Sequence, residues 1–107
     1  MEDNKDCPVS VVQKVIGGKW SILILYQLNT KIIRFGELDR LTPNMTQSTL
    51  TKELRRLENY QLVNRKVYAQ VPPKVEYSLT KIGLELIPIL KDLGQWGNKY
   101  IQYVRKQ

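Results

Sequence analysis

Apolar positions recur at helical spacing through the first half of the chain, alternate over two short stretches after it, and return to helical spacing at the end. Pro8 suits a first helical turn, where no amide donor is needed, and Val11, Val12, Val15 and Ile16 follow it at helical spacing, predicting a helix over about 8–16. Gly17-Gly18 breaks that pattern, and Trp20, Leu23, Ile24 and Leu28 predict a second helix to about Asn29. Phe35, Leu38 and Leu41 mark a short third helix. It must stop near Thr42-Pro43-Asn44, because a residue before proline avoids the helical region. A fourth helix, capped by Thr46 or a neighbour, buries Leu50, Leu54 and Leu57. Ser48, Thr51, Lys52, Arg55 and Asn59 fall on its opposite face at about 100° per residue.

Leu62 to Tyr68 and Lys74 to Leu79 are rich in Val and Tyr and predict two strands joined through Ala69-Gln70-Val71-Pro72-Pro73. Thr80 can cap a final helical region to about residue 105, bent at Pro88 and at Gly94 or Gly97. The fold class is mainly α with a small β-hairpin. A short helix, a tight turn and a longer polar-faced helix form a helix-turn-helix over about 34–59; the hairpin at about 62–79 is its wing. All 107 residues fit one domain.

Charge sharpens this picture. The chain carries 17 Lys+Arg against 10 Asp+Glu, a net +7, and residues 31–81 hold ten of the basic and five of the acidic residues. A basic middle favours a polyanion, double-stranded DNA above all. The longest apolar run, Ile22 to Leu25, is far too short for a bilayer, and the leader Met1-Glu2-Asp3-Asn4-Lys5-Asp6 is acidic, so a cytoplasmic protein without membrane contact is expected. There is no histidine and only one cysteine, Cys7. That leaves no poised general base and no intrachain disulfide, and neither catalysis nor a metal or cofactor is expected. Gly17-Gly18-Lys19-Trp20-Ser21 superficially suggests a phosphate loop, but it lacks the upstream glycine, the Lys-Ser/Thr pair and a preceding strand.

Several strings occur in order: Cys7-Pro8, Ile16-Gly17-Gly18-Lys19-Trp20, Arg34-Phe35-Gly36-Glu37-Leu38, Leu50-Thr51-Lys52-Glu53-Leu54-Arg55, Leu57-Glu58 and Val71-Pro72-Pro73-Lys74-Val75-Glu76-Tyr77-Ser78-Leu79-Thr80. Together they resemble the HxlR-type regulators, a MarR-like family of bacterial DNA-binding dimers. The resemblance runs from Cys7 to about Gly97, and it implies a winged-helix dimer with the fourth helix in the major groove and the wing at the flanking backbone or minor groove. The acidic leader and Asn44-Met45-Thr46-Gln47-Ser48, at the start of the fourth helix, depart from the family pattern and bear on operator choice.

The candidate DNA-binding residues are Gln47, Ser48, Thr51, Lys52 and Arg55 on the fourth helix, Lys66 and Lys74 on the wing, and Arg34 at the start of the third helix. Surplus apolar residues at both ends predict a homodimer joined through helices 8–16 and 80–105, by Val11, Val12, Val15, Leu90, Leu93, Trp96 and Tyr100. Cys7 opens a helix whose dipole and Lys5 favour thiolate, while Asp3 and Asp6 oppose it. Family members with a cysteine here often sense oxidants or electrophiles by intersubunit disulfide or adduct, so the resemblance implies an oxidant or small-molecule effector. The expected function is a sequence-specific regulator, a repressor on an inverted-repeat operator. The rival is a winged-helix protein-interaction module whose basic face meets an acidic protein.

Overall fold

The computed structural model describes residues 7–107, so the charges of Asp3, Lys5 and Asp6 invoked for Cys7 lie outside the described residues. The order is α1 (Pro8–Ile16), α2 (Ser21–Leu28), β1 (Ile33–Arg34), α3 (Phe35–Leu41), α4 (Gln47–Asn59), β2 (Val63–Tyr68), β3 (Lys74–Leu79) and α5 (Lys81–Arg105). Each predicted helix and strand is present. The short strand β1 was not expected from the sequence. It pairs antiparallel with β3, Ile33 opposite Tyr77 and Arg34 opposite Glu76, giving a three-stranded sheet in the order β1-β3-β2. Two residues are too few for an alternating pattern to show. The pairing nevertheless ties the start of α3 to the wing.

Local chemistry fixes the helix ends. Thr46 caps α4, its hydroxyl accepting from the Thr49 amide at 3.1 Å, and Thr80 caps α5 by accepting from Gly83 at 3.1 Å. At the far end of α4, Gln61 adopts a left-handed φ of 65°. The Leu62 amide donates to the Leu57 carbonyl at 3.0 Å and the Gln61 amide to Glu58 at 2.9 Å, a Schellman closure that turns the chain into β2. Gly83 lets α5 start hard against the sheet, because a Cβ there would lie 2.4 Å from the Leu62 carbonyl oxygen.

The core is one cluster. Ile24, Leu25 and Leu28 of α2, Leu38 of α3, Leu50, Leu54 and Leu57 of α4, Val63, Tyr77 and Leu79 of the sheet, and Ile87 and Leu90 of α5 are buried in it. Helix α5 runs as a single helix through Pro88, Gly94 and Gly97, so none of these residues divides it. Its last buried residue is Leu90. The fifteen residues beyond it carry the helix about 22 Å past the core at 1.5 Å per residue.

That placement corrects one sequence assignment. Leu90, expected at a dimer interface, is only 3 % exposed and belongs to the protomer's own core. It lies three residues after Ile87, on the stripe that α5 presents inward. Leu93, Trp96 and Tyr100 are exposed, as a contact surface requires.

Candidate nucleic-acid interface

α4 presents its charged side to solvent because its three leucines are anchored inward. Gln47, Ser48, Lys52 and Arg55 are exposed and Thr51 is half-buried. Among the described residues, no hydrogen bond or ion pair holds Lys52 or Arg55. Two of the polar residues are partly committed. The Gln47 side-chain amide donates to Asp39 Oδ2 at 2.9 Å, tying α4 back to α3 across the turn. The Thr51 hydroxyl donates to the Gln47 carbonyl at 2.8 Å, which leaves its lone pairs and methyl group for an outside partner.

Beside this helix lies an open cleft of about 460 Å³, lined by Arg34, Phe35 and Gly36 at the start of α3, Thr51 and Arg55 of α4, Arg65 of β2, and Pro73, Lys74, Val75 and Tyr77 of the wing. Four sequence-predicted residues, Arg34, Thr51, Arg55 and Lys74, therefore meet in one concave surface. Arg65 is a fifth member that sequence reasoning missed. Part of its signal was available, since it falls at period two with Val63 and Val67 on one face of β2; the register opposite Tyr77 turns that face to α4. An ion pair with Glu58, 3.5 Å, steadies it. Burial raises the pKa of Tyr77 in the cleft floor, so its hydroxyl stays neutral.

Lys66 does not share this cleft. It sits on the outer face of the wing, opposite Glu76, where Lys66 Nζ and Lys74 Nζ lie 5.0 and 4.5 Å from the Tyr68 ring centroid. The Tyr68 hydroxyl donates to Glu76 Oε1 at 2.8 Å and Lys74 pairs with Glu76 Oε2 at 3.4 Å. That hydrogen bond first, and Lys74 second, hold the Glu76 carboxyl below the usual carboxylate range. The wing thus carries two oriented ammonium groups and one carboxylate that competes for them.

The remaining predicted sites lie away from this surface. Cys7 is exposed at the N-cap position of α1; backbone hydrogen bonding to Ser10 and then Val9 holds its thiol below the ordinary pKa. Val11, Val12 and Val15 line an apolar groove of about 250 Å³ together with Ile82, Leu86 and Ile89 of α5. On the projecting half of α5, Trp96 stacks on Tyr100 with centroids 5.3 Å apart, and both rings are more than half exposed. Among the described residues no group of three or more Cys, Asp or Glu could hold a metal ion, and no single helix is long and apolar enough to cross a membrane.

A helix-turn-helix joined to a three-stranded antiparallel sheet, with cations converging beside the second helix, defines a winged-helix transcriptional regulator. The model of the HxlR-like helix-turn-helix family matches residues 15–105, and the chain belongs to that family. It is similar to the HTH-type transcriptional regulator YkvN of Bacillus subtilis, 52% identical over 96 residues, which are 90% of this chain and 81% of that protein. Among solved structures it resembles a MarR-family transcriptional regulator from Porphyromonas gingivalis W83, with a TM-score of 0.83 and 39% identity over 91% of this chain and 95% of the other. It also resembles the redox regulator HypR in its reduced form, with a TM-score of 0.87 and 42% identity over 94% of this chain and all of the other. The family and these relatives are transcriptional regulators, and the chain is not an enzyme.

Proposed function

We propose that the protein is a homodimeric repressor that places α4 of each protomer in successive major grooves of an inverted-repeat operator. The convergence of Arg34, Thr51, Arg55, Arg65 and Lys74 on one cleft beside the exposed face of α4 carries this reading. Gln47, Ser48, Thr51, Lys52 and Arg55 supply the base-edge and phosphate contacts of the helix. Arg34, Arg65, Lys66 and Lys74 hold the flanking backbone. Apolar surface on the projecting half of α5, with the groove between α1 and α5, supports the dimer contact. Bound across a promoter, such a dimer excludes polymerase by occupancy.

Cys7 is the point at which an oxidant or electrophile acts in this reading. Its thiol is exposed and made more acidic by the first turn of α1, and HypR, to which the chain is similar, is a redox regulator. With a single cysteine per chain, oxidation joins two protomers or forms an adduct with a small thiol.

Selection from a random duplex pool, followed by footprinting, tests the reading. The recovered sequences should share an inverted repeat whose half-sites lie about 34 Å apart, one duplex turn. Recovery of no common sequence, with duplexes retained no better than an unrelated polyanion, would favour the rival in which the basic face meets an acidic protein.

A further inference from the structure

Arg56 neighbours Arg55 in sequence but does not join the cleft. Its guanidinium turns inward and joins three elements. Nη1 donates to the Lys14 carbonyl and Nη2 to the Val15 carbonyl, each at 3.1 Å. Both carbonyls belong to the last turn of α1, where no amide of the helix remains to satisfy them. Nη2 also donates to the Ser21 hydroxyl at the start of α2. Nε donates to both Glu53 carboxylate oxygens at 3.3 Å, and the Ser21 hydroxyl in turn donates to Glu53 Oε1 at 3.2 Å. The group lies over the Tyr60 ring at 5.6 Å.

Gly18 makes room for this arrangement. A Cβ at that position would stand 2.7 Å from Ser21 Oγ, 3.1 Å from Arg56 Nη2 and 3.3 Å from Glu53 Oε1. The Gly-Gly-Lys-Trp-Ser string is thus neither a phosphate loop nor a mere break between helices. It is a corner at which α1 and α2 meet at 79°, left open so that a side chain of α4 can reach the end of α1.

We infer that Arg56 is a positioning residue for DNA recognition: with Glu53 and Ser21 it clasps the C-terminal end of α1 to α4, so that the orientation of α1 sets the orientation of the recognition helix. The inference rests on the reading of α4 as the DNA-contacting helix. Three features single out arginine here. Its planar fork donates to two successive carbonyls and a carboxylate at once, a geometry that the single ammonium of lysine does not reproduce. Glu53 lies one turn before Arg56 on the same helix, so the ion pair aims the guanidinium off α4 toward α1. Ser21 is fully buried and bonds both members of the pair, which gives the clasp a fixed seat in the core. A displacement of α1, whether by a partner protomer or by a group added at its start, is thereby passed to α4 without a change in the core leucines.

The test uses the full chain and the variants Arg56→Gln, Arg56→Lys and Ser21→Ala, each compared at a temperature where thermal unfolding shows it folded. Folded Arg56→Gln should bind the selected operator about tenfold more weakly or worse, with the slope of log affinity against log salt unchanged, since no phosphate contact is lost. Arg56→Lys should fail to restore binding, and Ser21→Ala should fall between. Amide hydrogen exchange should quicken together in residues 13–16 and 47–52 of Arg56→Gln. A salt slope reduced along with affinity would make Arg56 a phosphate contact and overturn the inference. Rescue by lysine, or wild-type affinity in folded Arg56→Gln, would overturn it equally. If Arg56→Gln does not fold, Ser21→Ala decides by the same readouts. If even the wild-type chain binds no duplex, the DNA reading fails by itself, and the exchange experiment still tells whether α1 and α4 open together or independently.

Discussion

Trp96→Ala probes the proposed dimer contact most sharply, because it removes a large ring that supports nothing in the protomer's own core. The indole is 61% exposed, and a tryptophan offers up to roughly 250 Å², so about 150 Å² per protomer is there to be covered on association. At about 25 cal/mol/Å² that area corresponds to at most about 4 kcal/mol, and alanine keeps a small part of it. Losing about 2–3 kcal/mol from each half of a symmetric contact weakens the dimer by at least about a thousandfold. Sedimentation equilibrium across nanomolar to micromolar protein measures the change. Circular dichroism should show unaltered helix content in the monomer, since the ring lies outside the core and stacks on Tyr100 of the same helix. Val71→Ala, at a wing-tip position 99% exposed, serves as the control and should leave association alone. A Trp96→Ala dimer as tight as wild type would refute the assignment of this helix face to the interface. Leu90→Ala should behave in the opposite way, costing about 2–5 kcal/mol of folding stability through a core cavity, whatever its effect on assembly.

Other consequences follow from the local geometry. Thr46→Ala removes the hydroxyl that caps α4 and should lower stability by about 1 kcal/mol in denaturant unfolding. Gln61→Gly should raise stability by about 0.5–1 kcal/mol, because Gln61 holds a positive φ that glycine adopts without strain; an unchanged midpoint would contradict the strain argument. For Cys7 the folded pKa is depressed by the first-turn amides, so thiolate is present at lower pH in the folded chain than in the unfolded one. The rate of iodoacetamide alkylation should therefore rise at lower pH in buffer than in urea, and superimposable profiles would contradict the cause assigned. Glu76→Gln removes the carboxylate that competes with phosphate for Lys74 and should tighten binding to operator and unrelated duplex alike in fluorescence anisotropy.

Much of this molecule was legible in the sequence because its elements obey simple periods. Leu50, Leu54 and Leu57 mark one face of α4 and so identify the opposite, solvent-facing side; Thr46 and Thr80 announce helix starts by the chemistry of their hydroxyls. What escaped depends on contacts between distant segments. β1 exists because β3 offers Ile33 and Arg34 a pairing edge, which two residues cannot advertise alone. Leu90 and Leu93 look alike in an apolar helix, and only the point at which α5 leaves the core separates a buried residue from a surface one. Arg56 adjoins the exposed Arg55 in sequence, yet its partners beyond α4 lie 35 to 42 residues away at a corner whose geometry depends on Gly18. Arg65 was passed over for a different reason: its period-two spacing from Val63 and Val67 shows that the three share a face, but only the register shows that this face turns to α4.

The central claim is that the cations beside α4 bind duplex phosphates in two protomers at once. Operator affinity measured by fluorescence anisotropy over a series of salt concentrations tests it directly. With Arg34, Lys52, Arg55, Arg65, Lys66 and Lys74 engaged in each protomer, log affinity should fall with log salt at a slope of about −11, and Arg55→Ala should flatten it by about 2 while weakening sequence preference. An affinity indifferent to salt, or an Arg55→Ala variant with the slope and preference of wild type, would contradict it.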